Sequence, residues 1–260
     1  MKRIIFFLFV FFLVFGLALA EKEGKWNQEK GTHFIIYYHN ASRPFISKLL
    51  EKAEEYYNSI ADDLGFRRFD FWLWDKRAKI FVYDNALAYQ ASTGQPAWSL
   101  GCARAEDKII DTYVDAEGFS EGVLPHEMAH IIFRELVGFH NKAIPLWLDE
   151  GVASYEQKDK YSNVNAIIYS AIRDKSFMTL ESLFKFSLNH NLSNKSVELF
   201  YCESYSIVDF LIKNYGRDRF VLFCQNLRDK KNFEKALISS YPFNNVGEFA
   251  KAWQKDFRHE

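Results

Sequence analysis

Four side chains near the middle of this chain have the types and spacing for metal-assisted hydrolysis: His126, Glu127, His130 and Glu150. On a helix, His126 and His130 lie one turn apart on one face, so two neutral imidazoles can grip one zinc ion. Glu127 follows His126 directly and is rotated away from that face, where it can reach a metal-bound water without becoming a ligand. Glu150 comes twenty residues after His130 and opens a second apolar, helix-like segment that can supply a third ligand. A fourth position left to water makes such a site catalytic rather than structural.

The surrounding elements must hold these groups. From Leu124 to Val137 the chain is apolar on nearly every side of a helix (Leu124, Met128, Ala129, Ile131, Ile132, Phe133, Leu136, Val137), which predicts a helix buried in mid-fold. Imidazoles and a carboxylate placed there without partners cost several kcal/mol, and a zinc ion removes that cost. Pro125 suits a first helical turn and Gly138 a stop. A longer H-E-x-x-H-x-x-G-x-x-H pattern is excluded, because Phe133 and Leu136 stand at its additional positions. His140 lies in the following loop and is a less favourable platform than the helix of Glu150. Asp149, one helical step from Glu150, reads as a supporting or capping carboxylate.

The rest of the chain reads as strands first and helices afterwards, which predicts an α+β fold. Strands are expected over 32–39, 79–83 and 108–114. Helices are expected over 45–64, 86–91, 124–138, around Glu150, and over 180–186, 197–215, 219–227, 233–239 and 246–257. Residues 24–31 read as a polar lead-in. The expected organisation is one zincin-like unit, 21–260. It has an N-terminal sublobe of small mixed sheet and helices (about 32–138), which includes the zinc helix, and a helical sublobe (about 143–258).

At the N-terminus, Lys2 and Arg3 precede an apolar run from Ile4 to Leu19, closed by Ala18-Leu19-Ala20. That is the pattern of a secretory signal peptide over residues 1–20, and it predicts a secreted or periplasmic protein. An uncleaved anchor through the same run is the one membrane association expected. Lys plus Arg number 33 against 34 Asp plus Glu, with no basic run, so nucleic acid is not an expected partner. Three cysteines, Cys102, Cys202 and Cys224, are compatible with one bridge or none, and their spacing fits neither a zinc ribbon nor a redox motif.

Together, H-E-M-A-H (126–130), W-L-D-E-G-V-A-S-Y (147–155) and Y-C-E-S-Y-S-I-V-D-F-L-I-K-N-Y-G (201–216) resemble the Peptidase MA-like branch of the gluzincins, the zinc metallopeptidases related to thermolysin and the aminopeptidases. The resemblance implies one Zn2+ per chain held by His126, His130 and Glu150, with Glu127 as catalytic base. It also implies an edge strand bordering the cleft above the motif helix. Relatives often carry a tyrosine or histidine that supports the oxyanion, for which Tyr201 and then Tyr205 are the candidates. Aminopeptidase relatives have a G-x-M-E-N-like strand that captures a free amine. Residues 99–106 lack it, so an endopeptidase acting on peptides or proteins is the expectation. The strand over 108–114 is the expected docking edge for an extended substrate. The alternative is an inert, exported zinc-binding module that acts in binding or envelope assembly.

Overall fold

A computed structural model describes residues 25–257 except 70 and 189–191, and the side chains at 158 and 159 are likewise outside the description. The signal-like segment 1–20 therefore lies outside the described residues. Within them the fold is α+β, a five-stranded mixed sheet followed by a helical half.

The sheet contains β1 (Asn27–Lys30), β2 (Phe34–Tyr38), β3 (Ala78–Tyr83), β4 (Gly101–Arg104) and β5 (Ile109–Tyr113), in the order β1-β2-β3-β5-β4. The three inner strands run parallel, and β1 and β4 flank them antiparallel. Strict alternation sets the buried face: Phe34, Ile36 and Tyr38 on β2, and Ala78, Ile80 and Val82 on β3. Between β2 and β3 runs α1 (Arg43–Asp63), started by Ser42, whose side chain accepts from the Phe45 amide. Its buried stripe of Ile46, Leu49, Ala53, Tyr57 and Ile60 has the spacing of one helical face. The short α2 (Ala86–Thr93) leads from β3 toward β4.

Two expectations need correction here. Residues 27–30 are not a loose lead-in but an edge strand, mostly exposed, so burial left no alternating pattern in its sequence. The strand over 108–114 is not a free edge either. A tight turn folds β4 back beside β5, which is thereby hydrogen-bonded on both sides, and the open edge belongs to β4.

After β5, a single π-helical turn (Phe119–Val123) delivers the chain into α3 (Leu124–Val137), every residue of which except Arg134 and Glu135 is buried. Gly138, at φ +99°, stops it. Next come α4 (Leu146–Tyr155), α5 (Val164–Arg173), α6 (Leu180–Lys185), α7 (Asn194–Tyr215), α8 (Arg217–Lys230), α9 (Phe233–Ser240) and α10 (Val246–Asp256). The sequence reading passed over α5, although Val164, Ile168 and Ala171 bury one face at helical spacing. Asn163 makes no side-chain cap, so no start signal marks it. The motif helix α3 is packed by α1, β4, β5, α4 and α8, while α4 lies along α7. Gly151 permits that approach, since a Cβ there would fall well inside contact distance of the Ser204 carbonyl oxygen on α7. All three cysteines are buried free thiols.

Candidate metal centre

The helical repeat of α3 places the His126 and His130 rings edge to face, with Nε2 atoms 3.2 Å apart. From α4, Glu150 brings Oε2 to 3.6 Å from Nε2 of His126 and 3.7 Å from Nε2 of His130. Donor atoms bound tetrahedrally at 2.0–2.1 Å stand roughly 3.3 Å apart. The point in the plane of these three atoms that is equidistant from them lies about 2.0 Å from each, a circumradius fixed by the three separations. The residues therefore fit a zinc ion, and they form a His-His-Glu group able to hold a metal.

Unmet polar atoms point the same way. Glu150 Oε2 and both oxygens of Glu127 are buried without a hydrogen-bond partner among the described residues. Each such group costs about 1–3 kcal/mol unless something outside the chain satisfies it. Glu127 is 1 % exposed and faces β4, where the Ala103 amide approaches its carboxylate without completing a hydrogen bond. Burial pushes the Glu127 carboxyl up to about 8, the charge of His130 opposes this, and that of Glu150 adds to it.

The two imidazoles are backed differently. Asp149 Oδ1 lies 3.4 Å from Nδ1 of His130, and the Arg134 guanidinium grips both Asp149 oxygens at 3.1 and 2.8 Å. Burial alone would lower His130, but the carboxylates of Asp149 and Glu150 outweigh it and raise its pKa above the ordinary value. Burial would likewise raise Asp149, yet His130 and Arg134 hold it well below the carboxylate range. His126 instead meets the amide oxygen of Gln157, 3.2 Å from Nδ1, and burial keeps its pKa low against the pull of Glu150.

The two tyrosine candidates part company. Tyr201 is buried, with its hydroxyl turned toward Glu150; burial and then that carboxylate's charge raise its pKa far above a free phenol. Tyr205 is not brought to the triad. One turn further along α7, about 6 Å, its ring stacks on Tyr161 at 4.8 Å and tilts against Tyr155, and its charged neighbours are Asp209 and Glu156. His140 also stays away, paired with Glu106 at the surface.

The structure thus gathers His126, His130, Glu150, Glu127 and Tyr201, and adds groups that sequence reasoning missed: Arg134, Gln157, Tyr161 and the Ala103 amide. Arg134 carried a signal, since it follows His130 by four residues on the same face. Tyr161, whose hydroxyl lies 3.1 Å from Ser154 Oγ, carried none.

A helix-borne histidine pair with a glutamate from the next helix, beside the edge strand of a mixed sheet, is the arrangement of a metallopeptidase in general. Residues 73–258 match the Peptidase MA superfamily, and the chain belongs to it. Among solved structures, the chain is similar to yeast LTA4 hydrolase in complex with bestatin, at 14 % identity and a TM-score of 0.44. That similarity covers 90 % of this chain and 37 % of the hydrolase chain, so the protein spans little more than a third of that enzyme's length. No curated protein sequence matches it.

Proposed function

We propose that the protein is an exported, zinc-dependent endopeptidase. The observation that carries this reading is the triangle of His126, His130 and Glu150 donor atoms with the unpartnered Glu127 carboxylate beside it. His126, His130 and Glu150 would hold one zinc ion, which when bound supplies an activated water and a polarised scissile carbonyl.

The chain's own groups do the rest. Glu127 takes a proton from the attacking water and passes it to the departing amine nitrogen, and its raised pKa suits a group that must both accept and release. Tyr201 donates its hydroxyl hydrogen toward the oxygen on which negative charge develops. An extended peptide joins the sheet at β4, the open edge beside α3, where backbone hydrogen bonds hold the reacting bond over Glu127. The β4 residues Gly101, Cys102, Ala103 and Arg104 include no carboxylate to capture a free amine, which favours cleavage within a chain over removal of its first residue.

Export rests on the N-terminal basic and apolar pattern. Among the described residues no helix is long and apolar enough to cross a membrane. The test is metal analysis and digestion of a mixed peptide library by the chain from residue 21 onward. About one zinc per chain is expected, with internal cleavages that chelation abolishes and zinc restores. Stoichiometric zinc with no cleavage of any peptide would reduce the protein to an inert binding module, and trimming at peptide ends alone would overturn the endopeptidase reading.

A further inference from the structure

The backing of His126 has a feature that the catalytic scheme leaves unused. Gln157 follows the end of α4, and its side-chain nitrogen donates to the Gly122 carbonyl in the π-turn that precedes α3. That bond fixes which way round the amide sits, so its oxygen faces Nδ1 of His126 and makes Nδ1 the protonated nitrogen. Nε2 is then left with its lone pair directed at the triad. The same amide oxygen receives a second, longer contact from the Lys160 ammonium at 3.5 Å.

We propose that Gln157, with Lys160 on its oxygen, is a positioning residue that orients His126 for the metal and keeps it a weaker donor than His130. The inference rests on the zinc reading above. An imidazole whose outer nitrogen faces a carboxylate gains basicity as a ligand, and Asp149, with Oδ1 3.4 Å from Nδ1, gives this to His130. A neutral amide gives less, and an amide oxygen shared with an ammonium gives less again. The site accordingly trades some grip on the metal for an ion that stays more electron-poor.

Zinc affinity of the chain from residue 21 onward, read by competition with a chromophoric chelator, tests this without reference to peptidase activity. The visible spectrum of the cobalt-substituted protein reports ligand geometry. Gln157→Met keeps the side-chain length but loses the acceptor, and is expected to weaken zinc binding about 10–100-fold and to alter the cobalt spectrum. Lys160→Met, at an exposed position, is expected to tighten zinc binding severalfold, a direction that mere structural damage would not produce. Gln157→Met binding zinc within about threefold of the parent, or Lys160→Met binding it more weakly, overturns the proposal. A parent chain that binds no zinc at all sinks the metal centre itself, while a parent that binds zinc but cleaves nothing leaves this test fully decisive.

Discussion

Two buried carboxyls in this molecule, Glu127 on α3 and Glu203 on α7, are both pushed up to about 8, in each case chiefly by burial. Each also keeps an oxygen without a hydrogen-bond partner among the described residues. Their surroundings differ. Glu127 lies among His130, Glu150 and the edge of β4, whereas Glu203 has one resolved partner, the Met178 amide at 2.9 Å, which ties the segment before α6 to α7. A displaced pKa is therefore no mark of chemistry in itself. It becomes one where other reactive groups converge on the same point.

Replacing each carboxyl by an amide should separate them most sharply. Glu127→Gln is expected to keep stoichiometric zinc and to lower kcat/KM for peptide cleavage by about 10²–10⁴, the usual worth of a general base. Glu203→Gln is expected to leave kcat/KM within about threefold. Equal losses in the two variants would erase the distinction.

The second contrast is in stability against pH. The folded chain holds a proton on Glu203 that the unfolded chain, at the ordinary value of 4.5, has released. Stability from this group is thus fully present below about pH 4.5 and is lost as pH rises toward 8. Glu203→Gln keeps an acceptor for the Met178 amide and cannot ionise. Thermal melts of parent and variant should nearly coincide at pH 5 and diverge by pH 8, where the variant should be more stable by on the order of a few kcal/mol. A difference that does not change with pH would refute the assignment.

A third experiment strikes both regions together. Gly151 follows Glu150 and meets Ser204, the neighbour of Glu203, at the contact of α4 with α7. Alanine in a helix ordinarily gains about 0.5–1 kcal/mol over glycine. Here Gly151→Ala should instead lose about 1–3 kcal/mol through overpacking, seen in the melting midpoint, and weaken zinc binding as α4 shifts.

What the chain disclosed before folding follows from the range of the forces involved. His126, Glu127 and His130 were legible because one helical repeat fixes their relation. Glu150 was legible because it stands twenty residues after His130 in an apolar, helix-like segment, although the helix starts earlier than expected, at Leu146. The edge strands were not: β4 is four residues long, and its place outside β5 is set by pairing rather than by its own pattern. Nor was Gln157, whose hydrogen bonds run to Gly122 and His126, over thirty residues back.

The smallest effect concerns α7 and the rotation that the sequence left open. Helical spacing puts Tyr201 and Tyr205 near one face and Glu203 near the opposite one, since two residues turn the helix by about 200°. Spacing cannot say which turn of that face meets the triad. The close approach of Gly151 to Ser204 decides it, and sets Tyr201 against Glu150 while Tyr205 passes beyond to Tyr161. Tyr201→Phe removes a donor aimed at the developing charge and should lower kcat about 10–100-fold with KM little changed. Tyr205→Phe keeps the ring that stacks on Tyr161 and should change kcat by less than about twofold. If the losses were reversed, α7 would have to sit a full turn out of register with α4, and the contact at Gly151 could not be the one described.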